Sequence, residues 1–164
     1  MFRYDNSTVR RRDRLLAPER ALELLREGEY GFLAMVSDDE RGGAYGLPLS
    51  YVWDGADALY IHCAPEGRKL RCLERSPRVT FCVVGRTRVF PARFTTAYES
   101  LLLECRAVRG LDDEERMHAL GLLLEKYSPD DREVGMRYAE KSFHRTEVVR
   151  LDILGASGKC KVIR

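Results

Sequence analysis

Apolar residues recur at helical spacing near the start of the chain and at strand spacing through most of the remainder. Ala21, Leu22, Leu24 and Leu25 form an apolar stripe of helical period. Pro18 suits the first turn of that helix, where a missing N–H costs nothing, and Gly28 ends it. From Tyr30 the period changes. Residues 30–36 read as a strand and residues 37–43, rich in Asp and Gly, as its turn. Residues 44–53 read as a second strand, and Pro48 inside it predicts an edge position or a bulge. Asp54-Gly55 predicts a tight hairpin turn that needs positive φ. Residues 58–63 follow as a third strand.

Residues 65–73 predict a short helix, stopped by Ser76-Pro77. Residues 78–84 form a fourth strand, residues 85–93 a loop around Pro91, and residues 95–108 a long fifth strand. Asp112-Asp113-Glu114-Glu115 places acids at the start of a helix, where the dipole favours them; that helix runs to about residue 127. A second helical stretch is expected near residues 133–141. Residues 146–154 alternate as a sixth strand, and the tail 155–161 returns to loop, with room for a last short strand. Five or six strands with a few helices and no βαβ repeat predict a mainly β (α+β) fold, an antiparallel barrel with peripheral helices.

The chain of 164 residues fits one domain, 1–164, with residues 1–14 as an extended N-terminal arm carrying Arg10-Arg11-Arg12-Asp13-Arg14. Its formal net charge of +2 is too small to argue for nucleic acid or an anionic membrane. The longest apolar runs fall far short of a membrane span, and no apolar signal core follows the N-terminus, so a cytoplasmic location is expected. The odd count of five cysteines, with no tight pair, fits reduced thiols.

No dinucleotide fingerprint, P-loop or serine nucleophile elbow occurs. No metal site is expected: His62 and Cys63 are adjacent on a strand and point to opposite faces, while His118 and His144 read as structural or surface residues. The informative stretch is His62-Cys63-Ala64-Pro65-Glu66-Gly67-Arg68-Lys69-Leu70. A strand ends there and a short helix opens with Gly, Arg and Lys in its first turn. A helix N-terminus offers free N–H groups to an anion, Gly67 allows close approach, and Arg68 and Lys69 add charge. The same residues also describe a solvated basic helix start.

Gly46-Leu47-Pro48-Leu49-Ser50-Tyr51, Leu59-Tyr60-Ile61-His62-Cys63-Ala64, Gly67-Arg68-Lys69, Val79-Thr80-Phe81-Cys82-Val83-Val84, Thr95-Thr96-Ala97-Tyr98-Glu99-Ser100 and Gly158-Lys159, in this order, carry a family likeness. The chain resembles the nitroimidazole-resistance (Nim) branch of the pyridoxamine 5′-phosphate oxidase-like FMN-binding split barrels. The resemblance implies a six-stranded split barrel that dimerises, with two FMN sites at the subunit interface. It implies that Pro48, Leu49, Ser50 and Tyr51 lie along the isoalloxazine ring and that His62 and Cys63 stand beside the ring and ribityl chain. It gives the phosphate to Gly67, Arg68 and Lys69, and closes the pocket with the partner's Phe94–Tyr98 region. Tyr51, Trp53 and Tyr98 are candidates for lining the slot, with barrel or interface packing as their alternative role.

His62 is the residue expected to be catalytic. An imidazole titrating near neutrality could donate a proton to a nitro group under reduction. The second, substrate-side phosphate site that vitamin B6 chemistry needs is not found, which leaves generic flavin redox. The expected function is an FMN-dependent oxidoreductase that reduces small acceptors such as nitroaromatics, with NAD(P)H as a candidate donor. The alternatives are a non-catalytic flavin-binding module, or a haem-binding protein using His62 as ligand.

Overall fold

The computed structural model describes residues 2–163. Its strands are β1 (Gly31–Val36), β2 (Ala44–Leu49), β3 (Val52–Trp53), β4 (Ala58–Cys63), β5 (Arg78–Phe90), β6 (Thr95–Val108) and β7 (Glu147–Lys161). Its helices are α1 (Pro18–Glu27), α2 (Arg68–Arg75), α3 (Asp113–Tyr127) and α4 (Arg132–Ser142). The strands form one antiparallel sheet in the order β2-β1-β5-β6-β7-β4-β3.

The two edge strands of this sheet, β2 and β3, are joined by Ser50 and Tyr51 alone. Three Cα steps reach at most about 11 Å. The sheet therefore curls until its edges nearly meet, which makes a split barrel with one open seam. Inside it lie Leu25, Leu33, Tyr51, Leu59, Ile61, Phe81, Val83, Leu101, Leu103 and Leu151, all fully buried. A second, smaller core of Val52, Tyr60, Ala119, Leu120, Leu123 and Val148 forms where α3 covers the outer face of the β3, β4 and β7 region. Asp112 caps α3 by accepting a 2.8 Å hydrogen bond from the Glu115 amide.

The strand count is seven where six were expected, and the reason is local. The expected strand 44–53 breaks at Ser50–Tyr51 because α3 captures the Tyr51 backbone. The Tyr51 amide donates to the Tyr127 hydroxyl at 3.0 Å, and Lys126 Nζ donates to the Tyr51 carbonyl at 2.9 Å. Neither group is left for a strand ladder. Pro48 sits on an edge strand, as its missing N–H predicts.

Two segments read as loop are strand. Residues 85–90 continue β5 beyond a bulge between Val84 and Thr87. They run as a hairpin with solvent on both faces, so the alternation that marks a half-buried strand is missing. Residues 155–161 continue β7 because the N-terminal arm bridges to their free backbone edge, Tyr4 pairing with Ala156 and Leu15 with Lys159. Asp5 N donates to Ala156 O at 2.8 Å, and Leu16 N to Gly158 O at 3.1 Å. A Cβ at Gly158 would stand 2.5 Å from the Tyr4 hydroxyl oxygen, so glycine there makes room for the arm. The arm is thus tied to the barrel. Among the described residues no helix is long and apolar enough to cross a membrane.

Candidate functional site

The seam of the barrel exposes an apolar shelf. Along β2, Tyr45, Leu47 and Leu49 alternate inward and pack against the core, yet stay half-buried because nothing pairs with the outer edge of the strand. Cys63, the last residue of β4, packs half-buried against the same core. Helix α2 opens a few residues further on.

Alternation along β4 sends Leu59, Ile61 and Cys63 inward and Tyr60 and His62 outward. Tyr60 is covered by α3, where its hydroxyl donates to Glu115 at 2.9 Å. His62 lies past that cover and remains accessible to solvent. Enough protein surrounds its ring that desolvation, and then the Lys69 charge, lower its pKa below the usual imidazole value. At neutral pH it is therefore mainly the neutral imidazole, not the acid titrating near neutrality that the sequence suggests. The Lys69 charge also acts on the Cys63 thiol, at the end of the same strand. Burial raises the Cys63 pKa, against the lowering effect of Lys69.

Gly67 caps α2 with φ +135°, a conformation that side chains disfavour, and no atom lies within 4 Å of where a Cβ would stand. The space beside Gly67 is therefore open, next to the first N–H groups of α2, which the helix does not satisfy internally. Arg68 is placed differently from its expected role. It donates to Asp38 at 3.0 Å and to Ser37 Oγ at 3.1 Å, and its guanidinium lies 4.4 Å from the centre of the Tyr45 ring. Arg71 shares Asp38 at 2.8 Å, and these two arginines hold the Asp38 carboxyl below the usual range. Arg68 thus fastens α2 to the β1–β2 turn with its charge largely cancelled. Lys69 has no carboxylate partner among the described residues, and it is the cation that stands at the strand end.

The remaining expected site residues divide. Pro48 and Ser50 are exposed at the seam and Leu49 lies on the shelf. The Tyr51 ring is inside the core, edge-on to Phe81 at 5.1 Å, with its hydroxyl on the Leu25 carbonyl at 2.7 Å. Trp53 is also buried, with Arg26 over it at 5.4 Å. Both rings pack the barrel, and neither is free to line a slot. Phe94 and Tyr98 lie on the β5–β6 hairpin, Phe94 being 98 % exposed. Tyr98 pairs with Lys161 of β7, whereas His62 pairs with Val148 of the same strand. Those partners are thirteen residues apart, roughly 40 Å along the strand. One protomer therefore cannot bring Tyr98 to His62. Among the described residues no cluster of His, Cys, Asp and Glu suited to a metal ion occurs.

Tyr45, Leu47 and Asp38 were not singled out in the sequence. The alternation of β2 marks the first two; Asp38 sits in an ordinary polar turn and carries no signal of its own.

A sequence model of the pyridoxamine 5′-phosphate oxidase family matches residues 17–160. The chain belongs to this family. Its fold is shared with a protein described as a candidate 5-nitroimidazole antibiotic resistance protein from Bacteroides thetaiotaomicron, at TM-score 0.70 and 20 % identity over 90 % of this chain and 86 % of that one. It is also shared with an FAD-binding protein from Mesorhizobium loti, at TM-score 0.65 and 20 % identity over 91 % and 98 % of the two chains. An FAD and heme binding protein from Mycobacterium smegmatis superimposes at TM-score 0.67 and 22 % identity, over 90 % of this chain and 73 % of that one. At such identities the likeness is one of fold. Comparison with curated protein sequences gives no match.

Proposed function

We propose that the protein is a homodimeric FMN-binding oxidoreductase that passes electrons to small acceptors such as nitroaromatics. The observation that carries this reading is the seam, where the half-buried row Tyr45, Leu47, Leu49 and Cys63 ends beside the open N-terminus of α2 and Lys69. A flat apolar ring system needs such a shelf with few polar groups at its edge. A phosphate needs unpaired N–H groups and an available cation. These residues fit both ends of FMN at once, and family membership supports the same reading. FMN, when bound, supplies reversible storage of electrons drawn from a donor such as NAD(P)H.

The residues then have separate tasks. Pro48, Leu49 and Ser50 border the ring, with the Tyr51 backbone fixing that segment from behind. Gly67 and Lys69 hold the phosphate, and Arg68 keeps α2 in place against the β1–β2 turn. His62 offers a neutral N–H to the oxygen on which an acceptor gathers negative charge.

The outer face of the sheet offers a surface for a second subunit. Pro48, Phe32, Cys82, Leu102 and Ser157 are direct cross-strand neighbours across five strands. Phe32 is 46 % and Leu102 45 % exposed. An apolar row of that kind on an uncovered sheet suits a self-complementary contact. A partner docked there also answers the separation of Tyr98 from His62, since its hairpin can supply Phe94 and Tyr98 to this seam.

The test is titration with FMN and with riboflavin, followed by NADPH and a nitroaromatic. The proposal expects FMN to bind far more tightly than riboflavin, and the bound flavin to bleach with NADPH and recover on adding the acceptor. Bound flavin that no nicotinamide nucleotide reduces would leave a binding module in place of an enzyme.

A further inference from the structure

Beyond Val84 the β5–β6 hairpin leaves the barrel and carries a second feature, at the far end of β7 from His62. Arg86 stands within the bulge between Val84 and Thr87, and past it Arg88 and Phe90 occupy alternate positions on one face of β5. With Tyr98 and Lys161 they line a groove of about 540 Å³.

The charges in this groove do not cancel. Four cations, Arg20, Arg86, Arg88 and Lys161, face two acids, Glu27 and Glu99, and Arg20 holds Glu99 at 2.7 and 3.0 Å and Glu27 at 3.2 Å. The Arg86 guanidinium has no carboxylate within 4 Å among the described residues, although its charge acts on Glu99, which also accepts from the Arg86 amide at 3.3 Å. Nor has Arg88, whose guanidinium instead lies 4.9 Å from the centre of the Phe90 ring. Lys161 donates to the Thr95 hydroxyl, a neutral group. Most arginines elsewhere in the chain, such as Arg20, Arg68, Arg71, Arg109, Arg116 and Arg150, have a carboxylate within 4 Å. Two unpaired guanidinium groups two residues apart repel each other until an anion bridges them, and their planar forks suit phosphate oxygens.

The aromatic residues narrow the ligand class. A cationic groove that also presents ring faces favours an anion attached to a flat, stackable base over a simple inorganic ion. The volume lies within the range of small-molecule sites. We propose that this groove binds a nucleoside diphosphate, with Arg86 and Arg88 on the phosphates, Lys161 at their edge and the base against Phe90. In the homodimer proposed above, the same hairpin reaches the partner's seam, where a dinucleotide electron donor would need an anchor. That last step alone rests on the flavin reading.

The test is calorimetric titration of the purified protein with ADP and with adenosine, repeated on the Arg86→Ala/Arg88→Ala double variant. FMN affinity, melting temperature and light-scattering mass are measured alongside. Adenosine should bind at least about tenfold more weakly than ADP, and the double variant should lose at least about tenfold in ADP affinity. FMN affinity, melting temperature and mass should not change. Failure of ADP to bind wild type at millimolar concentration overturns the proposal, as does equal binding to the variant. A variant that becomes monomeric also overturns it, because the arginines would then hold a partner subunit. Protein that binds ADP through these arginines but takes up no FMN would sink the flavin reading and leave this inference standing.

Discussion

The Tyr127 hydroxyl accepts a 3.0 Å hydrogen bond from the backbone amide of Tyr51, seventy-six residues earlier in the chain. Through it the end of α3 grips the two-residue bridge between the barrel's edges. The same hydroxyl lies 2.5 Å from the Glu29 carbonyl oxygen, to which it donates. Lys126 completes the grip on the Tyr51 carbonyl and stands 3.7 Å over the Tyr51 ring. Half-buried, its pKa falls to about 8.

Tyr127→Phe removes the acceptor for the Tyr51 amide and the donor to Glu29. A buried amide left unsatisfied costs about 1–3 kcal/mol. Urea unfolding should show a lower midpoint with an unchanged slope. An unaltered midpoint would mean that water replaces the hydroxyl and that the bridge does not depend on α3.

The two cations of the phosphate turn should not be equivalent. Lys69→Ala is expected to weaken FMN binding by about 1.5–3 kcal/mol, the usual loss for a charge-assisted bond. Riboflavin binding should barely change. Arg68→Ala should affect FMN less, and should loosen the β1–β2 turn because Asp38 and Ser37 lose a partner. Equal losses in both variants, confined to FMN, would show that Arg68 leaves Asp38 to meet the phosphate.

His62 is expected to act as a neutral donor. With its pKa below the ordinary value of about 6.5, the rate of nitroaromatic reduction should not fall as pH rises from about 6.5 and should be flat above about pH 7.5. His62→Ala should keep FMN and slow that reduction at least about tenfold. The linkage has a definite sign. Because the folded pKa is depressed, the unfolded chain takes up the proton first, so this group's stabilising contribution is present above about pH 6.5 and is lost as pH falls through the folded pKa. A rate that declines steadily as pH rises through this range would identify an imidazolium acid and contradict the neutral-donor role.

The proposed dimer uses an exposed row, so it can be tested without touching the core. Leu102→Asp places a charge within that row, between Cys82 and Ser157. Light scattering at micromolar concentration should give a dimer for wild type and a monomer for the variant. FMN should be lost along with the dimer, since Phe94 and Tyr98 of one protomer cannot reach its own seam. A wild-type monomer that binds FMN would contradict the shared site.

Much of the fold was legible because the barrel buries one face of most strands, and period-two patterning reports that directly. Three things were not legible. The break at Ser50–Tyr51 depends on Tyr127, which lies far away in sequence. The end of β5 is solvated on both faces, and the end of β7 alternates only between small residues, its free edge being paired by an arm more than a hundred residues away in sequence. At the candidate site, the strand end and α2 could be placed from Gly67 and the basic residues after it. What could not be read was that Asp38, an unremarkable turn residue, claims Arg68, or that the Tyr51 and Trp53 rings are used inside the barrel.

The central claim is that this seam holds FMN, and the most direct measurement is the absorption spectrum and mass of whatever is released when the purified protein is denatured. The account predicts a yellow protein whose released chromophore has the mass of FMN. A colourless protein that takes up no FMN on reconstitution would contradict it, as would a Soret band without flavin.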